Sequence, residues 1–223
     1  MRFTSIAIDG PSGAGKSTMA RRAAAELGFL YVDTGAIYRS VSLYAYRVGV
    51  AKEDAPQIVA LLPEINIGME YQNDGVQHMI LNGEDVTDAI RENEVSLYTS
   101  VVSAIPEVRT FLLELQRNLA ATHNVIMDGR DIGTVVLPNA TVKIYLTAAP
   151  EARANRRWLE LREKGSDITE AKVLEDVLQR DYNDTHREIA PLRQAEDAVL
   201  VDTTELDLEE SYQLLLKTIR EGV

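Results

Sequence analysis

Gly10-Pro11-Ser12-Gly13-Ala14-Gly15-Lys16-Ser17-Thr18 follows directly on the short apolar run Ile6-Ala7-Ile8. The spacing is G-x-x-x-x-G-K-S. The apolar run reads as a buried strand that breaks at Gly10. Beyond Lys16 the chain turns helical, with Met19, Ala20, Ala23, Ala24 and Leu27 on one face and Gly28 as C-cap. A strand before and a helix after separate a phosphate-binding loop from an ordinary glycine-rich turn. Glycines at 10, 13 and 15 let backbone N–H groups converge on phosphate oxygens that a Cβ would obstruct. The helix N-terminus adds partial positive charge. In this pattern Lys16 reaches the β/γ-phosphates and the Ser17 hydroxyl ligates Mg²⁺. Residues 10 to 18 are therefore expected to bind a nucleoside triphosphate.

The composition sets limits around that expectation. A chain of 223 residues with 45% apolar and 26% charged residues is that of a soluble globular protein with a substantial core. There are no cysteines, which removes disulfides, thiolate metal sites and a cysteine nucleophile. No apolar run approaches the ~20 residues of a membrane-spanning helix, and no signal-peptide pattern is visible, so the expected compartment is the cytoplasm. A net charge of −12 argues against a nucleic-acid surface. It also repels phosphates, so clustered arginines stand out.

Along the chain, strand and helix patterns alternate. Phe29 to Val32 reads as a strand ending at Asp33-Thr34-Gly35. Ala36 to Gly49 has a helical period with Ile37, Val41, Tyr44, Ala45 and Val48 on one face, and Asp54 to Leu62 forms a shorter helix with an Asp N-cap. Ile65 to Tyr71 alternates like a half-buried strand, Asn73-Asp74-Gly75 signals a turn, Val76 to Leu81 returns, and Asn82-Gly83 turns again before Val86. This antiparallel β insert interrupts an α/β pattern. Helices follow at Val95 to Ala104 and from Pro106 through Glu107 to about Ala121, then strands at Val125 to Met127 and Val142 to Leu146. Helices from Pro150 to about Lys164 and Thr169 to about Glu188 precede a last strand at Ala198 to Val201. Asp207 and Glu210 open the terminal helix as a capping box. The pattern predicts a P-loop NTPase-type parallel sheet flanked by helices. Ligands in such sheets sit beyond the carboxyl ends of the strands.

Three further groups of residues carry charge to that edge. Asp33-Thr34-Gly35-Ala36-Ile37-Tyr38-Arg39 combines a helix start with an arginine, which reads either as a phosphate clamp or as an N-cap with a solvent-facing side chain. Asp128-Gly129-Arg130-Asp131-Ile132-Gly133 places two carboxylates and a guanidinium after a buried strand. Arg153, Arg156 and Arg157 share one stretch of helix, with Arg180, Asp184 and Arg187 at similar spacing further on. His78, His123 and His186 are isolated and suggest neither a metal site nor a triad.

With these motifs assembled, the chain resembles bacterial cytidylate kinase, a P-loop nucleoside monophosphate kinase, over essentially its full length. The carrying residues are Gly10 to Thr18, Asp33 to Arg39, Gly83-Glu84-Asp85-Val86, Asp128 to Thr134, Arg153 to Arg157, and Arg180, Asp184 and Arg187 near Ala190-Pro191-Leu192. The resemblance implies transfer of the γ-phosphoryl group of ATP to CMP or dCMP by a monomer acting in pyrimidine nucleotide metabolism. It implies a core, a monophosphate-binding lobe over about 36–105 that contains the β insert of about 65–88, and a lid over about 153–187. Gly10, Pro11, Ser12, Gly13, Ala14, Gly15, Lys16, Ser17, Thr18 and Arg157 would hold ATP. Arg39, Arg130 and Arg187 would hold the acceptor phosphate. Ser100, Arg109 and Asp131 would read cytosine, Arg180 and Asp184 would bind the sugar, and Thr34 and Tyr38 would complete the acceptor site. Lys16, Arg130, Arg153 and Arg157 would be catalytic. Ser17 would bind Mg²⁺, with Asp128 or Asp33 acting through water and Asp128 favoured. Thr34 stands where many members carry Ser, which keeps the hydroxyl and adds a methyl beside it.

The chemistry of the residues points the same way. A nucleoside monophosphate has a second pKa near ~6, so its attacking oxygen is anionic at neutral pH and needs no general base. What it needs is neutralisation and alignment of two phosphate chains. A carboxylate such as Asp131 accepts from the cytosine N4 amino group and would face a carbonyl oxygen in uracil. The rival readings are a P-loop kinase of another small acceptor, such as UMP, AMP or a coenzyme precursor, and a non-catalytic nucleotide-binding switch protein. The second should carry an Asn-Lys-x-Asp run for guanine, and the sequence has none.

Overall fold

The computed structural model describes residues 3–71 and 77–223. In chain order its elements are β1 (Ser5–Asp9), α1 (Lys16–Leu27), β2 (Leu30–Asp33), α2 (Thr34–Arg47), α3 (Ala55–Leu61), β3 (Ile67–Tyr71), β4 (Gln77–Leu81) and β5 (Glu84–Asp85). There follow α4 (Asn93–Val102), α5 (Pro106–Thr122), β6 (Val125–Gly129), β7 (Val142–Thr147), α6 (Pro150–Glu163), α7 (Glu170–His186), β8 (Val199–Asp202) and α8 (Leu208–Gly222). Two compact units result, one of Met1–Tyr31 with His123–Val223 and one of Val32–Thr122.

The first unit holds a five-stranded sheet in the order β2-β6-β1-β7-β8. β1 lies parallel between β6 and β7, and β8 runs parallel to β7. The edge strand β2 begins in this unit and leads out of it. Because side chains alternate along a strand, Ile6 and Ile8 share one face of β1 while Ala7 and Asp9 take the other. Both isoleucines are fully buried against Met19, Ala20, Ala23 and Ala24 of α1 and Tyr212, Leu215, Leu216 and Ile219 of α8. Each large apolar side chain in that core contributes about 1.5–3 kcal/mol through burial. Gly28 ends α1 in the left-handed conformation, and the Asp207–Glu210 capping box starts α8. Helices α6 and α7 have a small core of their own, with Ala154, Val173 and Val177 packed by Trp158, Leu161, Ile168 and Leu174.

In the second unit, α2 packs against α4, and the antiparallel sheet β3-β4-β5 carries the insert. Asp33 caps α2 by accepting from the Ala36 N–H, so the helix begins at Thr34, two residues before the position that periodicity suggests. Val48 was expected on the buried face but lies beyond the helix and is exposed. The stretch after Asn82-Gly83 adds the two-residue strand β5. The expected turn at Asn73-Asp74-Gly75, with Val76, lies outside the described residues. Sequence periodicity also missed a single π-helical turn at Ile132–Val136. Among the described residues, no helix is long and apolar enough to cross a membrane.

At Gly10 the backbone has φ +151°, and a Cβ there would lie 1.9 Å from the Leu146 carbonyl oxygen. Gly10→Ala is therefore expected to lower the unfolding free energy by roughly 3 kcal/mol or more. Urea unfolding followed by circular dichroism checks this, and a loss below about 1 kcal/mol would mean that the strand ends separate easily.

Candidate active site

The site of the first unit starts where β1 ends. Gly10 can pass the Leu146 carbonyl only without a side chain, and Gly15 is the N-cap of α1 in a left-handed conformation. No side chain caps α1, which leaves its first N–H groups available to an anion. Lys16 is buried, and its ammonium donates to the Pro11 carbonyl at 2.7 Å, which arches the chain over the lysine. Burial, reinforced by the Arg130 charge, pulls the Lys16 ammonium below its usual pKa.

Ser17 Oγ donates to Asp128 Oδ2 at 2.7 Å, and Tyr31 Oη donates to Asp128 Oδ1 at 2.9 Å. Asp128 is buried at the end of β6, and together with Ser17 offers the hard oxygen donors that Mg²⁺ selects. Asp33 belongs to the second unit, where its carboxylate caps α2 and lies 3.9 Å from Arg39. Within the first unit, Asp128 is the carboxylate hydrogen-bonded to Ser17.

Arg130, Arg153 and Arg187 of the first unit are held by carboxylates. Arg130 Nε donates to Asp184 at 2.6 Å, and Arg187 reaches Asp131 at 3.3 Å while its Nε donates to the Ala190 carbonyl at 2.7 Å. Arg153 is buried in a bidentate pair with Asp181 and also donates to the carbonyls of Ala148 at 2.8 Å and Ser12 at 2.9 Å. The expected cluster at 153–157 separates by direction. Arg156 turns to the carbonyls of Thr203 and Leu206, whereas Arg157 is exposed and pairs with Glu160 at 2.8 Å. Arg180 lies on the exposed face of α7, one turn before Asp184. A cavity of about 360 Å³ opens beside the phosphate loop, with Pro11, Tyr145, Arg153, Asp181 and Thr204 in its wall.

In the second unit, Thr34 and Tyr38 are buried on α2, and the Arg109 guanidinium lies over the Tyr38 ring at 5.6 Å. Arg109 also donates to the Ser103 carbonyl at 3.1 Å, while Ser100 is exposed on α4. Gly35 keeps the start of α2 open, since a Cβ there would meet Asp33 Oδ1 at 3.1 Å.

Sequence reasoning did not single out Asp9, Tyr31 or Asp181. The signal for Asp9 was a charged residue ending an otherwise apolar strand. Its carboxylate is buried, with Oδ1 accepting from the Ile132 N–H and Oδ2 from the Gly133 N–H, both at 2.7 Å. Burial pushes its carboxyl up to about 6, aided by the nearby Asp131 charge and opposed by the two backbone donors and Lys16.

The model of the family described as cytidylate kinase matches residues 6–221. A relative from Caldicellulosiruptor bescii named cytidylate kinase is 50% identical, with 97% of this chain and 96% of that protein covered. One of the same name from Carboxydothermus hydrogenoformans is 52% identical over 96% of each, and one from Streptococcus sanguinis is 48% identical over 94% of this chain and 93% of its own. The crystal structure of an uncharacterized protein from Eubacterium ventriosum superposes with a TM-score of 0.54 over 98% of each chain at 10% identity, a likeness of fold alone.

The raised Asp9 pKa has a sign that can be measured. Well below pH 3.8 the carboxyl is neutral in both states, and between 3.8 and about 6 it is ionised mainly in the unfolded chain. Its contribution to stability is thus complete at low pH and lost as pH rises through about 6. The interval corresponds to roughly 3 kcal/mol. Asp9→Asn cannot titrate, so the stability of the nucleotide-free parent relative to this variant is expected to fall between pH 4 and 7. Parallel stability curves for the two proteins over that range would contradict it.

Proposed function

The chain belongs to the cytidylate kinase family, and from that premise we propose how its residues divide the work. The protein is a (d)CMP kinase: it transfers the γ-phosphoryl group of ATP to CMP or dCMP, giving CDP or dCDP and ADP. The observation that carries the division of roles is the joining of Ser17 to Asp128 by one hydrogen bond at the mouth of the phosphate loop.

Donor binding falls to Gly10, Pro11, Ser12, Gly13, Ala14, Gly15, Lys16, Ser17 and Thr18. Backbone N–H groups hold the phosphate oxygens and the Lys16 ammonium neutralises charge as the γ-phosphoryl group departs. Ser17, and Asp128 through water, would hold Mg²⁺, which when bound shields the β- and γ-phosphates. An anionic phosphate also favours the charged form of Lys16 against the burial that disfavours it. Arg157 lies in the segment 153–187 that we assign as the lid. Its pair with Glu160 is exposed and of the kind worth at most about 1 kcal/mol, so it is readily exchanged for a phosphate. Arg153 acts beside it, gripping the loop through the Ser12 carbonyl.

The acceptor side is assigned to Arg39, Arg130 and Arg187 for the phosphate, and to Arg180 and Asp184 for the sugar. Ser100, Arg109 and Asp131 read cytosine, with Thr34 and Tyr38 completing the site. Residues 36–105, with the insert at 65–88, form the monophosphate-binding lobe. The CMP phosphate oxygen attacks as an anion, so the protein supplies orientation and charge rather than a base. Asp131 accepts from the N4 amino group and is left facing an acceptor by UMP, a difference of ~1–3 kcal/mol in comparable base readout. The enzyme acts as a monomer in the cytoplasm.

Turnover of CMP, dCMP, UMP and AMP measured by coupled ADP detection tests the base assignment, and UMP turned over faster than CMP would overturn it. Arg157→Ala is expected to lower kcat by about 10²-fold or more, as for loss of a group that meets the transferring charge. CMP affinity without ATP should stay within about twofold. A large loss of CMP affinity at normal kcat would move Arg157 to the acceptor side.

A further inference from the structure

We propose that Asp9 is a positioning residue for the acceptor: by holding the backbone N–H groups of Ile132 and Gly133, its carboxylate fixes where Arg130 and Asp131 stand relative to the phosphate loop. The geometry pins that stretch at both ends. At one end, parallel pairing places Asp9 opposite Gly129, the last residue of β6. At the other, the Asp9 side chain takes the N–H groups of Ile132 and Gly133 at 2.7 Å each. Only Arg130 and Asp131 lie between these anchors. The π-helical turn continues the hold, with Val135 and Val136 both donating to the Asp131 carbonyl, at 2.9 and 3.1 Å.

The charge of Asp9 follows from this geometry. Two N–H donors converge on one side chain, and only a carboxylate gives each its own acceptor oxygen. An asparagine would present an amide N–H₂ to one of them and leave a buried donor unpaired. The site is also built to fit. Gly133 packs closely on it: a Cβ there would stand 3.3 Å from Asp9 Oδ2 and 3.2 Å from Lys143 Cδ, so those side chains would have to give by a few tenths of an ångström. Burial and the Asp131 charge oppose the ionised form, and the residue is nonetheless a carboxylate. What the clamp holds is the two-residue stretch Arg130-Asp131.

The proposal rests on the assignment of Arg130 and Asp131 to the acceptor, and its test separates the two. Steady-state kinetics of Asp9→Asn, Gly133→Ala and Asp131→Asn would be compared with CMP, UMP and ATP varied in turn. Asp9→Asn is expected to raise KM for CMP about tenfold or more and to reduce the preference for CMP over UMP, with KM for ATP within about threefold. Gly133→Ala, whose added methyl presses on the same carboxylate, should give the same one-sided split in milder form, and it answers the question if Asp9→Asn fails to fold. A merely structural role predicts lowered melting temperature with no such split. Equal rises in both KM values, or parental constants, would therefore overturn the proposal. If Asp131→Asn loses the preference for CMP while the other variants keep it, the proposal fails alone. If Asp131→Asn keeps the preference, the acceptor assignment fails and the proposal with it.

Discussion

The close approach of the end of β1 to the end of β7 is the constraint on which the phosphate site depends. Gly10 passes the Leu146 carbonyl at a distance no other residue tolerates, so the chain can turn there and present its next residues as a cradle. The same contact brings the start of α6 to the loop. Just past β7, the Ala148 carbonyl accepts from Arg153, which reaches across to the Ser12 carbonyl and so braces the loop from outside. Packing of two strand ends thus becomes the positioning of backbone N–H groups.

A chain of net charge −12 that handles polyanions has to place its cations with care. In the first unit Arg130, Arg153 and Arg187 each meet a carboxylate: Asp184, Asp181 and Asp131. Such pairs are poor sources of stability, because the desolvation of both ions offsets most of their attraction. Their value here lies in orientation. A carboxylate and a phosphate offer guanidinium groups similar acceptor geometry, so a paired arginine is already directed as a phosphate requires. Exposure then sorts the pairs. Arg157–Glu160 is open to solvent and easily exchanged, whereas Arg153–Asp181 is buried and also holds backbone, which suits a brace.

Most of the fold was legible in the sequence because its signals are local. Short apolar runs, all but that of β7 closed by an aspartate, gave the strands of the larger sheet. The Asp54 cap, Gly28 and the Asp207–Glu210 box marked helix ends where the structure places them. The misses also have physical causes. Asp33 starts α2 early because its side chain caps the helix from inside the strand end, which apolar periodicity cannot register. The π-helical turn at Ile132–Val136 depends on Asp9, more than a hundred residues away in sequence. Arg156 looked like its neighbours Arg153 and Arg157 by spacing, yet its partners are carbonyls after β8 that no local pattern reveals. Residue type and spacing locate charge near a sheet edge. Which partner holds each charge is a tertiary fact.

One short stretch concentrates the consequences. Between Asp128 and Gly133 stand the carboxylate that joins Ser17, the guanidinium of Arg130, the carboxylate of Asp131 and the two N–H groups held by Asp9. The groups proposed for the donor and acceptor sides within the first unit are thereby separated by a few bonds of backbone pinned at both ends. Phosphoryl transfer without a general base draws its rate from alignment, and misplacement by about 1 Å can forfeit about 10²-fold. A scaffold that fixes both sides through one rigid segment meets that demand with few parts. The buried, electrostatically unfavourable carboxylate at position 9 is compatible with a stable protein because the strand pairing of β1 and the apolar core on its opposite face supply the stability that the ionised form costs.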